Sequence, residues 1–268
     1  MPPGGAARQG WIGPVCGRVN LEGPPLAEAL RAFLGPEAGP AAWDGLAKPR
    51  INVAPQATLP VVLEGRTLAK LRWWFAQGAQ GARLKTFNAR CEGALASPLY
   101  GPWLRSHRCV VPVSSFLEWR RLSEGQRLPY LLRPQGAAAL FLAGVWQPLR
   151  AAEDFAGAGE ASEGASEGGT FAVLTCAARP TLGWLHHREP RLLTEAGAAA
   201  WLGELTPRQL ERGLLGPQAP VPLDAYPIAP AVGDARQQGP ELLVPQGAPW
   251  RYGSPAPLPP ARPQGTLF

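Results

Sequence analysis

Five groups of polar residues in this chain have the types and spacing for chemistry. The first is Cys16-Gly17-Arg18, in the stretch GPVCGRVN. A cysteine within a strand is an ordinary core thiol. A cysteine at a chain start carries a free amine beside its thiol, which makes two nucleophiles on one residue. The second is Asn52 in RINVAP, ahead of a turn closed by Pro55, and the third is Asn88, Arg90 and Glu92 in TFNARCEG. These three alternate by two, so an extended segment would set an amide, a guanidinium and a carboxylate on one face. Such a face is costly to bury without a use. The fourth is Glu118, between Leu117 and Trp119, where partial desolvation would raise a carboxyl toward the range useful for proton transfer. The fifth, TCAARPTLGWLHHREP, supplies Thr175 at a strand end, then His186 and His187 in a polar turn closed by Pro190.

Each group also has a purely structural reading. Cys16 can be a core thiol and Asn52 a turn cap. Asn88, Arg90 and Glu92 can form a polar network, Glu118 can pair with Arg120 or Arg121 at the surface, and His186 can be a satisfied loop residue. Trp73 and Trp74 can stack on bases or pack in the core. Cys91, Cys109 and Cys176 lie in or near apolar strands and read as structural.

The bulk properties narrow the classes. The chain has 268 residues, 46% of them hydrophobic, with ten tryptophans, enough for a sizeable core. No apolar run is long enough for a membrane span, and residues 1–15 lack the apolar stretch of a signal peptide, so a cytoplasmic protein is expected. Four cysteines without CxxC spacing and three scattered histidines give no metal or disulfide signature. No cofactor is expected. The net charge of +6, carried almost wholly by arginine, mildly favours a polyanionic partner.

The elements that must position these residues are short. PPLAEALRAFLG reads as a helix with Pro25 in its first turn, a face of Leu26, Leu30, Phe33 and Leu34, and Gly35 at its end. ATLPVVLEGRTLAKLRWWF reads as two strands around Glu64-Gly65, with Pro60 suggesting that the first lies at an edge. Further strands are expected around RCVVPVSSFLEWRR, RLPYLLRP, AALFLAGVW and FAVLTCA, and two helices after residue 195, the second capped by Thr206 with Pro207 in its first position. The sequence predicts one compact α+β domain over residues 16–246, with a mainly antiparallel, curved or barrel-like β core and short flanking helices. Residues 1–15 read as a leader, about 151–169 as a flexible insertion, and 247–268 as an irregular tail.

Taken in order, CGR, RINVAP, TFNARCE, RCVVPVSSFLEW, FLAGVW, FAVLTCAA, HHREP and AVGDARQQGPEL resemble the SRAP domain family, the SOS response-associated peptidases that process abasic sites in DNA. The resemblance covers about residues 16–246. It implies that Cys16 lies at the mature N-terminus and bonds to the aldehyde of an abasic site in single-stranded DNA, with Asn88, Glu118 and His186 as its catalytic companions. It implies DNA contacts by Arg18 and Arg90, to which Asn52, Trp73 and Trp74 are added as candidates, and a supporting shell of Glu92, Thr175, His187 and Arg188. Implied activities are self-processing as a peptidase, crosslinking through a thiazolidine, and a lyase side reaction. The implied partner is single-stranded DNA at stalled or junction regions, met by a monomer associated with the nucleoid.

Fifteen residues precede Cys16 as the chain is written, and with them in place the α-amine does not exist. Either the bond between Val15 and Cys16 is cleaved, or translation begins at Val15 and the initiating residue is clipped; the second is the preferred expectation. Two rival readings stay open from sequence: a cysteine amidase or peptidase acting on other substrates, and a basic nucleic-acid-binding module without chemistry.

Overall fold

The apolar runs build the core first. In the computed structural model, which describes residues 16–35, 46, 48–75, 86–122, 125–148 and 168–257, β6 (Arg108–Val113), β9 (Leu140–Pro148) and β10 (Gly169–Ala177) are buried along most of their length. With β3 (Thr58–Val62) and β4 (Leu68–Trp73) they close a ring in the order β10–β4–β3–β6–β9 and back to β10. Only the β10–β4 contact is parallel. Two of the closing ladders are short, so β3 and β4 each keep an unpaired stretch on one side. The expectation of an edge position for Pro60 is corrected: β3 lies between β4 and β6. Its ladder with β6 is confined to the pair Val62 and Val110, so the missing N–H of Pro60 falls where that ladder is absent.

Close approach within the ring explains one glycine. A Cβ on Gly144, in β9, would stand 2.7 Å from the sulfur of buried Cys109 and 3.2 Å from the carbonyl oxygen of Ala172. Gly144→Ala is therefore expected to destabilise the fold by about 1–3 kcal/mol, which chemical denaturation of the two chains would measure.

Halfway along, β10 changes neighbours. Thr170 and Phe171 lie between β9 and β4. Further on, Val173 to Thr175 pair in parallel with β5 (Asn88–Arg90), and Thr175 to Ala177 pair with β11 (Arg188–Pro190). Two of the sequence's polar groups thus flank one strand. Helix α2 (Cys91–Ala94) follows β5 at once, so the period-two alternation ends before Glu92 and the expected single face of three residues is corrected to two.

A second sheet runs β14 (Trp250–Arg251), β13 (Leu223–Pro227), β8 (Arg127–Pro134), β7 (Ser115–Arg121), β1 (Arg18–Leu21), β2 (Arg50–Val53). Its faces differ. Phe116 pairs with Leu132, and Glu118 with Tyr130, on the side facing the main core. Leu117, Leu131 and Ile51 face a smaller cluster made with Ile228, Val232, Leu242 and Leu243. The tail is not irregular throughout, because Trp250 is buried and Trp250–Arg251 extends this sheet. Of the expected insertion, 151–167 lies outside the described residues, and Gly169 already opens β10. The leader 1–15 also lies outside them.

Helices seal the remaining core. α1 (Pro24–Leu34) buries Leu26, Leu30, Phe33 and Leu34, as its spacing predicts, and Phe33 meets Phe141 at 4.8 Å. Two further helices, α4 (Glu195–Leu202) and α5 (Pro207–Leu215), follow β12 (Leu192–Leu193), and Thr206 and Gln209 form a capping box on α5. The short helix α3 (Gly101–Leu104) is tied to α4 by the buried Arg108, whose guanidinium donates to carbonyls of Leu104, Trp201 and Gly203. The architecture is α+β with a curved, barrel-like and mainly antiparallel core. No described helix is long and apolar enough to cross a membrane.

Candidate active site

β1 begins beside β7, and this sets the first contact of the site. Arg18 pairs with Leu117, so the chain just before β1 reaches the next residue of β7. The backbone N–H of Cys16 donates to Glu118 Oε2 at 3.1 Å. Cys16 is fully buried and holds a left-handed backbone, φ 47°, which costs a non-glycine residue on the order of 1 kcal/mol. Burial, reinforced by the Glu118 charge, raises its thiol well above the ordinary value.

Glu118 is 5% exposed. Burial pushes its carboxyl up to about 7, against the opposing pull of the N–H groups of Cys16 and Trp119. The surface-pair reading with Arg120 or Arg121 does not fit this burial. A carboxyl poised near neutrality can both take and return a proton.

The histidine turn covers the same face of β7. Tyr130, opposite Glu118, meets Trp184 edge-on at 5.1 Å, and Arg120, two residues along on that face, lies over the Trp184 ring at 5.2 Å. His186 and His187 follow directly, with ring centroids 4.3 Å apart. Burial first, then His187 and nearby arginines, hold His186 down at about 4; burial, then Arg188, Arg121 and Arg90, lower His187. At about 4 the His186 ring is neutral near pH 7. Its Nδ1 lies 3.1 Å from the Arg188 N–H; accepting that bond leaves the ring proton on Nε2.

Around β10 a second group assembles. Arg188 donates from both terminal nitrogens to Glu92, at 3.1 and 2.9 Å, and to the Thr175 carbonyl at 2.7 Å. Hydrogen bonds thus link Glu92, Thr175 and Arg188 across α2, β10 and β11, while His187, the fourth residue of the expected shell, lies against the His186 ring instead. Asn88 is half-buried and Arg90 exposed on the edge formed by β5, and the Asn88 carbonyl is fixed by Thr86 and Tyr100 hydroxyls. Trp74 is half-buried and stacks on Phe87 at 6.5 Å.

Three expected DNA contacts are corrected. Trp73 is 0% exposed and donates to the Phe87 carbonyl, so it has no face to offer a base. Asn52 is likewise fully buried, with its amide spent on Arg18 and on carbonyls of Asp234 and Gln237. Arg18 is half-buried on the face opposite Glu118, donating to Asn52 Oδ1 and to the carbonyls of Val232 and Gly233. These residues brace the sheet. Asn20, which donates to Ser115 Oγ and accepts the Asn52 N–H, belongs to this brace and was missed in the sequence. Its signal was the same two-residue spacing from Arg18. Among the described residues, no three metal-ligating side chains stand together.

The fold and this cysteine–glutamate pair define a class. The chain matches the SOS response associated peptidase (SRAP) family over residues 15–235 and belongs to it. It is similar to the abasic site processing protein YoqW of Bacillus subtilis, 27% identical over 209 residues that cover 75% of this chain and 88% of that one. It is also similar to the abasic site processing proteins HMCES of Gallus gallus, 26% identical over 75% of this chain and 68% of that one, and YedK of Escherichia coli, 26% identical over 73% and 84%. A solved structure of a Bacteroides thetaiotaomicron protein, 16% identical, covers 85% of this chain and 98% of its own, with a TM-score of 0.62; at that identity it shows the shared fold.

Proposed function

We propose that this protein crosslinks to abasic sites in single-stranded DNA through Cys16, once Cys16 is the first residue. The single observation that carries the reading is the Cys16 nitrogen 3.1 Å from a buried carboxyl poised near pH 7. With the preceding peptide bond gone, that nitrogen is an α-amine, ordinarily charged below about pH 8. Glu118 takes its proton. The neutral amine attacks the aldehyde carbon, and Glu118 returns the proton to the resulting hydroxyl, which leaves as water. The iminium carbon then accepts the Cys16 sulfur. One C–S bond forms, the thiol proton passes to Glu118, and a five-membered thiazolidine closes with no change of oxidation state. The raised thiol pKa fits this order, with the amine attacking first and the sulfur second. Ring closure gains from effective concentration because both nucleophiles share one residue.

Neutral His186, with its ring proton on Nε2, donates a hydrogen bond to the sugar ring oxygen while the ring opens to the aldehyde and the anomeric hydroxyl proton passes to that oxygen. Asn88 and Arg90, along the β5 edge, hold the sugar and a phosphate, and Trp74 offers a face to the gap left by the missing base. Arg188, Glu92 and Thr175 keep that edge in register.

The test compares two forms of the chain, one retaining residues 1–15 and one beginning at Cys16, on single strands carrying an aldehydic abasic site or a reduced site without the aldehyde. A denaturation-resistant adduct is expected only from the form beginning at Cys16 on the aldehydic strand. An equally durable adduct from a chain that keeps a peptide bond ahead of Cys16 would overturn the thiazolidine. Comparable adducts on the reduced site would overturn the aldehyde chemistry.

A further inference from the structure

A nucleophile at a chain terminus sits where a protein frays most readily. In a chain that begins at Cys16, nothing on the N-terminal side holds the reacting nitrogen. The brace behind β1 supplies what is missing. Val19 faces Val53 and Leu21 faces Arg50, so Asn20 alone opposes both Ile51 and Asn52, a bulge in β2. Asn52 takes the left-handed conformation there, φ 57°, which asparagine tolerates better than most residues. Its N–H donates to Asn20 Oδ1 at 2.8 Å. Its side-chain oxygen accepts from Arg18 Nη1 at 2.8 Å, and its side-chain nitrogen donates to the Asp234 and Gln237 carbonyls at 2.9 and 3.0 Å. Arg18 donates again to the Val232 carbonyl at 3.1 Å. One fully buried amide thus fastens β1, two residues from Cys16, to the turn at 232–237. On its other side β1 is laddered to β7, where Leu117 precedes Glu118.

We propose that Asn52 is a positioning residue that holds the Cys16 nitrogen at the Glu118 carboxylate, acting through Arg18 and the register of β1. This rests on the reading of Cys16 as the nucleophile. Asn52 itself touches no DNA. A strained asparagine in a bulge beside the reacting residue has the form of a device that aims rather than binds.

Asn52→Gly tests this, because glycine keeps the left-handed backbone at little cost and removes only the amide. Single-turnover crosslinking by the form beginning at Cys16 gives separate readouts. Expected are a rate at saturating DNA lower on the order of 10- to 100-fold, an unchanged half-saturating DNA concentration, and an unchanged adduct amplitude. The pH midpoint belonging to Glu118 should move upward as its bond from Cys16 weakens. Asn52→Asp, which keeps the acceptor for Arg18 and loses both donors, should fall between. In the full chain, amide exchange at Val19 and Leu21 should accelerate in Asn52→Gly. A raised half-saturating concentration with an unchanged rate would mean that Asn52 serves DNA, and would overturn the proposal. So would a lower amplitude alone, which reports misfolding, or unchanged rate and exchange. If the parent chain forms no adduct, the reading of Cys16 falls, while amide exchange still decides whether Asn52 holds β1.

Discussion

Cys16→Ala, in a chain that begins at this residue, should leave no adduct that survives denaturation and heating. The alanine amine still condenses with the aldehyde, so borohydride added during the reaction should trap a Schiff base. Without it the imine hydrolyses. Cys16→Ser should also form the imine, and its hydroxyl, a poorer nucleophile than a thiol, should hold the product less durably. Acetylating the α-amine removes both species, since the first bond is to nitrogen. This ordering separates two roles on one residue: nitrogen captures, sulfur retains. Equal persistence of the serine and cysteine products over hours at neutral pH would count against ring closure by sulfur. The assay is a time course on a denaturing gel with and without reductant.

Glu118→Gln should slow adduct formation by on the order of 100- to 10,000-fold, the range expected for losing a positioned acid–base group. The same change should make the full chain more stable in alkaline buffer. The carboxyl's ordinary value is 4.5 and burial raises it to about 7. Between these, the folded state keeps a proton that the unfolded state has lost. Stability is therefore greatest below about pH 4.5, falls as pH rises through 7, and is flat beyond. The full difference corresponds to about 3 kcal/mol. Glutamine has no charge to bury and loses part of the pairing to the Cys16 and Trp119 N–H groups, so a net gain of about 1–3 kcal/mol is expected at pH 8. Denaturation of both chains at pH 4.5 and pH 8 measures it. A glutamine chain with the parent's pH slope would place the raised carboxyl elsewhere.

How much of this was legible before folding depends on the kind of property involved. Glu118 stood out because a carboxylate inside an apolar run forecasts its own desolvation. Helix α1 and the cap at Thr206 were local patterns and emerged as read. Arg18 and Asn52 were recognised as significant and given the wrong task. Their hydrogen-bond partners lie at 232–237, and no local pattern reveals that a guanidinium is already occupied from so far along the chain. Trp73 failed for the related reason that adjacent residues on a strand face opposite ways, and the sequence does not say which of two tryptophans faces inward. The low value at His186 comes from burial, from His187 and from arginines brought near by the fold, and burial and tertiary neighbours have no local signature. Glu92 left the expected face when Cys91 started a helix.

The exchange of partners along β10 has a practical consequence for anyone wishing to attach something to this protein. The link from Pro148 enters the strand at Gly169, whereas Thr175 lies six residues on, about 20 Å away at the usual rise of an extended chain. A fluorophore attached at residue 168, exposed just ahead of the strand, would sit at the end of the stave away from Thr175. On the function proposed above, it would report on encounters with damaged strands from that distance.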